Sequence, residues 1–259
     1  MAEVPGGVNP YAPPSNLGDD AGRSAAGRGL PWLIATLVVV VVCALGAAVL
    51  SVPHVAGPYA PAAGRVVFLA LNTIFGTLLG FGLTAAVKAA LRRDWRLFMP
   101  GHWRALETLT VLIGIMASLP WRGQPGFTIG ISAFFMEQLA SETARNIAGV
   151  ALYATVAFLT RERIWWKVYA WVWLVSYLAS LLQIPIALYN ARADVWLLYL
   201  IVGALPWISA LGACVGTLFV VMGVVGDIRD KVPRDVGHYA GLILPIVTYV
   251  MIVIASVML

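Results

Sequence analysis

"LPWLIATLVVVVVCALGAAVLSV" runs from Leu30 to Val52 without one charged residue. A hydrocarbon core about 30 Å thick is crossed by about 20 apolar residues in a helix. The stretch meets that length, and it predicts a membrane-spanning helix. Lipid offers no partner to a free backbone N–H or C=O, so a spanning segment must satisfy its own. The fold class this implies is an all-α integral membrane protein.

Six further runs extend the reading. They cover Val66–Val87, His102–Leu119, a fourth segment ending at Thr160, Trp166–Leu188, Val195–Val224 and His238–Leu259. The sixth is long, and it reads as one helix bent near Pro206. Composition agrees: 61% of the 259 residues are apolar and 11% are charged. A soluble domain carries about 25% charged residues. Residues 30–259 thus read as one seven-helix transmembrane domain.

The net charge of +5 does not point to nucleic acid, because the basic residues sit in short loops between apolar runs. They act instead as orientation signals. With the N-terminus inside, thirteen of the 17 Lys and Arg fall on inner segments. Arg65, Arg122, Arg145 and Arg192 fall outside. The expected topology is N-in, C-out, in the inner membrane of a bacterium. Cys43 and Cys214 both lie inside apolar runs, which predicts neither a disulfide framework nor a metal site.

Residues 1–29 are rich in Gly, Pro, Asn and Ser and show no apolar period. They are expected to be a disordered cytoplasmic tail. Within them "NPYAPP", Asn9–Pro14, resembles the tails that precede membrane spans in bacterial polytopic membrane proteins. That resemblance implies no activity. An extended Pro-rich segment can dock an aromatic groove on a protein partner, or serve as a plain tether.

One pattern is written twice. "RDWRLFMPGHW" spans Arg93–Trp103, and "RDKVPRDVGHY" spans Arg229–Tyr239. An offset of 136 residues joins Arg93 to Arg229, Asp94 to Asp230 and His102 to His238. It also carries the G-x-x-x-G of Gly76 and Gly80 onto that of Gly212 and Gly216. Two parallel three-helix repeats, 30–119 and 166–255, with 120–165 as linker, would explain it. So would shared composition, since inner loops need charge and Gly-His can open a helix. The three-one-three plan resembles that of the SWEET sugar transporters. Those start outside and carry a Pro-Gln signature, whereas this chain has only Gln183-Ile184-Pro185.

Few polar residues interrupt the runs. Asn72, Thr73 and Gln183 are expected to bond a neighbouring helix or their own backbone. Glu107 lies three residues after Arg104, which predicts an interfacial ion pair. The densest polar stretch is "FFMEQLASETARN", Phe134–Asn146. Its Glu137, Gln138, Ser141, Glu142 and Arg145 share an arc of about 140° on a helix. Two readings stand: an amphipathic outer segment ahead of a span starting near Ser141, or a re-entrant segment lining a polar cavity.

No H-E-x-x-H, G-x-S-x-G or Walker A sequence is present, and no cofactor motif. "EQLASETAR" departs from the paired-Glu motif of membrane CAAX proteases at Gln138. The Arg and Asp of the RDD membrane family lie within spans; here they lie in loops. The expectation is a small-solute transporter or channel-like protein. The alternative is a non-catalytic membrane scaffold whose Gly faces or tail hold a protein partner.

Overall fold

A computed structural model describes residues 19–55, 62–121, 133–193 and 196–258. Side-chain surroundings are described for 31–50, 65–120, 136–182 and 211–254, apart from residue 213. Each apolar run becomes a helix: α1 (Asp19–Val55), α2 (Ala62–Arg92), α3 (Pro100–Ser118), α4 (Ala133–Leu159), α5 (Ile164–Ala193), α6 (Trp196–Arg229) and α7 (Val236–Met258). Short 3₁₀ turns follow α2 and α3, and no strand occurs among the described residues. Among the described residues, three stretches are long and apolar enough to cross a membrane: Pro31–Leu50, Arg65–Arg92 and Val236–Ile254. They suggest a membrane location.

Two expectations need correction. The tail expected to be disordered through residue 29 is helical from Asp19 onward. Once the apolar run nucleates a helix, adding a turn is cheap. Second, Phe134–Asn146 lies within one continuous helix, α4, of 27 residues. It is not re-entrant from Ala133 onward, because its backbone bonds run unbroken into the apolar part; the polar turns ahead of Ser141 are the first part of the same helix. Residues 127–132 lie outside the described residues.

Hairpins organise the packing. α1 packs on α2 and α5 on α6, while α3 and α4 lie side by side and α4 adjoins α5. α7 lies against both α2 and α3. Small residues set these distances. A Cβ at Gly80 would stand 2.6 Å from Val40 Cα, and one at Gly76 would collide with the Cys43 carbonyl. Gly212 and Gly216 do the same for α5, against Ser176 and the Trp173 ring. All four therefore face a helix of the same chain. The core gathers at α3, α4 and α5, where Trp103, Tyr153, Trp166 and Tyr169 are buried. Leucines and isoleucines such as Leu45, Leu218 and Ile246 face outward, as lipid contact requires.

α2 and α6 end alike. Arg93 and Lys231 adopt left-handed backbone, with φ of 51° and 49°. The next residues donate back into the helix, Asp94 N–H to Ala89 C=O and Val232 N–H to Asp227 C=O. These are Schellman closures, usually made with glycine. Their offset is 138 residues rather than 136, so the Arg-Asp pairs do not take equivalent places. Asp94 accepts from Arg96 N–H and caps a 3₁₀ turn. Asp230 instead accepts from Arg163 and Arg229.

Candidate functional site: a polar cavity within the bundle

α5 carries an aromatic stripe. Tyr169, Trp173 and Tyr177 recur every four residues, so they stand on one helical face. That face meets Tyr153 of α4, whose ring stacks on Trp173 at 6.1 Å and on Tyr177 at 5.8 Å. Gly149 makes room, because a Cβ there would lie 2.5 Å from the Tyr177 ring.

The stripe ends on a carboxylate. Tyr177 donates to Glu107 Oε1 at 2.7 Å, and Tyr153 donates to Oε2 at 3.1 Å. Tyr153 has one proton, and Glu107 takes it. In the 3.2 Å contact between Tyr153 and Tyr169 the donor is therefore Tyr169. Two phenols thus converge on one carboxylate, and a third, Tyr169, backs one of them. The expected Arg104–Glu107 ion pair is not formed among the described residues. The tyrosines hold Glu107 instead, because they reach it from α4 and α5 with aligned hydroxyls.

Beside Glu107 lies a cavity of ≈ 550 Å³. That is within the range of small-molecule sites. Its polar walls are Arg104, Glu107, Arg145, Asn146, Ser176 and Tyr177. Leu78, Val111 and Ile252 are among its apolar ones. At 1.5 Å rise per residue, Ser176 and Thr248 stand about 18 Å along α5 and α7 from the first residues of those helices.

The expected polar residues divide. Arg145 reaches the cavity and is tied to Glu142 at 2.6 Å. Ser141 packs against Gly114 of α3. Gln138 is exposed, Glu137 is half-buried, and neither lines the cavity. Asn72 and Thr73 bond the carbonyls of Phe68 and Leu69, in their own helix. Gln183 lies outside the described side chains. Sequence reasoning missed the Tyr153, Tyr169 and Tyr177 cluster. The signal was there, in aromatics at i, i+4 and i+8 of the fifth run.

Below the cavity the loops knit together. Arg234 grips Glu162 with two 2.9 Å bonds and reaches Asp227 Oδ2 at 2.9 Å. Trp166 Nε1 donates to the same oxygen at 3.1 Å. Burial alone would lower the Arg234 pKa, but Glu162 and Asp227 outweigh it and raise it. Arg163 joins α5 to α6 through Asp230 at 2.6 Å and the Gly226 carbonyl at 2.9 Å. Arg163 and then Arg229 hold the Asp230 carboxyl below its ordinary range.

The two Gly-His sequences meet at this end. Gly101 N–H donates to His238 Nδ1 at 3.0 Å, and Met99 N–H donates to His102 Nδ1 at 3.1 Å. Each Nδ1 accepts, so the proton of each neutral ring is on Nε2. His102 Nε2 then donates to Asp235 at 2.9 Å, and Asp235 also caps α7 through His238 N–H at 2.8 Å. Burial works to raise the Asp235 carboxyl; His102 and the His238 N–H prevail and hold it below its ordinary range. Arg93, Asp94 and Arg229 take no part in this contact.

No group of three or more His, Cys, Asp or Glu is placed to hold a metal ion among the described residues. No protein-family model matches the chain, and neither a curated protein nor a solved structure is similar to it at a significant level.

Proposed function

We propose that the chain is a multi-pass protein of a bacterial inner membrane, with seven spans, its N-terminus inside and its C-terminus outside. It binds a small neutral or zwitterionic solute in the bundle cavity and passes it across, as a transporter or channel-like protein. The observation that carries this reading is the cavity itself: Arg104 and Glu107, in the first two turns of α3, line ≈ 550 Å³ of space that continues between α3, α5 and α7 as far as Ser176 and Thr248. Ionisable residues facing a cavity between apolar helices are functional-site candidates. Spans beyond Pro31–Leu50, Arg65–Arg92 and Val236–Ile254 are supported by the lengths of α4, α5 and α6, at 27, 30 and 34 residues. Each exceeds the roughly 20 residues a bilayer needs. The repeat reading rests on the α1–α2 and α5–α6 hairpins, where each G-x-x-x-G meets the preceding helix.

Proteoliposomes test the function. A mixed panel of labelled neutral and zwitterionic solutes should include one that crosses faster than in empty vesicles. Thr108→Trp, which fills the cavity, should return that flux to leak level. Leak-level flux for every solute, together with a cavity closed to water, would sink the reading.

A scaffold or subunit role is the second reading. It is favoured by α1, which packs on α2 and leaves Leu37, Val41 and Leu45 uncovered. On that reading, deleting residues 1–18 abolishes capture of a partner and leaves flux unchanged.

A further inference from the structure

Arg104 and Glu107 stand one turn apart on α3, and both face the cavity. Opposite charges at this spacing ordinarily pair. Here no ion pair joins them among the described residues. Glu107 is held back by Tyr153 and Tyr177, one on each oxygen. An ionised carboxylate offers about four lone-pair positions, so roughly two remain free. Arg104 has no hydrogen bond to any described residue, and its guanidinium carries five donors. The cavity therefore presents a free positive pole and a half-free negative pole about one helical turn apart.

Charge balance narrows what fits. The other ion pair at the wall, Arg145 with Glu142, is already neutral. Arg104 and Glu107 also sum to zero. A pure anion or a pure cation would leave one of them uncompensated away from bulk water, which is costly. A solute bearing both charges close together compensates both. Leu78, Val111 and Ile252 offer an apolar wall to the rest of it.

We infer that the cavity takes an amino-acid-like zwitterion, its carboxylate on Arg104, its ammonium on Glu107 and an apolar side chain against α2 and α7. This rests on the solute-binding reading proposed above.

The test uses the full chain, purified in detergent, and its Tm. The probes are L-leucine, 4-methylpentanoate, which lacks the ammonium, and L-leucinamide, which lacks the carboxylate. L-phenylalanine, 3-phenylpropanoate and L-phenylalaninamide repeat the comparison with a larger body. A ligand that binds the folded chain stabilises it by mass action. At least one amino acid should raise Tm by about 2–4 °C at concentrations well above its Kd. Its two counterparts should give less than about a third of that shift. Arg104→Gln and Glu107→Gln should each abolish it, and Arg104→Lys should keep part of it.

Equal shifts from the amino acid and either counterpart would overturn the inference. So would an amino-acid shift that survives both neutral substitutions, or no shift with either amino acid. The comparison on the unaltered chain decides even where a variant does not fold. Water access to a thiol at position 108 separates the two levels. A labelled Thr108→Cys with no amino-acid shift leaves the solute site standing and ends the zwitterion; an unlabelled one ends both.

Discussion

Gly101 gives its backbone N–H to His238 Nδ1 across 3.0 Å, and that bond fixes where α3 and α7 meet. The two backbones also approach each other closely here. A Cβ at Gly101 would strike the His238 carbonyl, and one at Gly241 would strike the Gly101 carbonyl. α7 supplies one cavity wall and α3 bears its charges, so the crossing sets the width of the site.

Gly101→Ala should therefore be among the most damaging single-methyl additions in the chain. Overpacking costs about 1–3 kcal/mol where side chains can adjust, and a helix backbone adjusts less. Thermal unfolding in detergent reads this as a clear drop in Tm. Gly46 is the control, since nothing lies near its Cβ position. Gly46→Ala should leave Tm unchanged or raise it slightly.

Removing one phenol from Glu107 should cost stability without opening the core. Tyr177→Phe removes one hydrogen bond to a half-buried carboxylate, a loss of about 1–3 kcal/mol. Glu107→Gln should change that loss, because the two residues share one bond. A double-mutant cycle showing simple additivity would remove the phenol–carboxylate bond from the account.

Arg234 holds two carboxylates, Glu162 and Asp227, that are as buried as itself. Arg234→Ala strands Glu162 and leaves Asp227 with Trp166 and the more distant Arg163, at about 3–5 kcal/mol. Replacing Arg234 and Glu162 together with apolar residues should cost less than Arg234→Ala alone. Chemical unfolding of the three proteins gives the order.

Acid should weaken the α3–α7 crossing through Asp235. Its carboxyl is held below its ordinary range, so the unfolded chain takes up a proton first as pH falls. The stability Asp235 contributes is full above the ordinary carboxylate pKa of about 3.9 and disappears as pH drops through its lowered value. His102, His238 and the nearby Lys88 are the charged or titratable groups around it. Tm of the unaltered chain and of Asp235→Asn should differ at pH 7 and converge in strong acid. A constant gap across that range would contradict the assignment.

Helices were legible where one physical signal dominated. Leu30–Val52 and Val66–Val87 are uniformly apolar, and length alone identifies them. Pro100 and Gly-His mark the start of α3 by local chemistry. The start of α1 at Asp19 was hidden, because a polar, glycine-bearing stretch becomes helical only as the continuation of an apolar helix. The cavity was hidden for a different reason. Tyr153 and Tyr177 lie 46 and 70 residues from Glu107, and no spacing along the chain brings them together. Arg104 lay close to Glu107 in sequence, and pairing them was the natural local inference. Two hydroxyls from other helices overrode it.

The central claim is that polar space reaches into the bundle beside Glu107, and a thiol at Thr108 tests it most directly. Cys43 and Cys214 are first replaced by alanine, and Thr108→Cys is exposed to a membrane-impermeant maleimide in sealed vesicles. Ile246→Cys, on an outward apolar face, is the control. The account expects position 108 to react from water while position 246 does not, and expects Thr108→Cys to be shielded when a bound solute fills the site. A thiol at 108 that stays unreactive from both sides, in a protein that still folds, would contradict it.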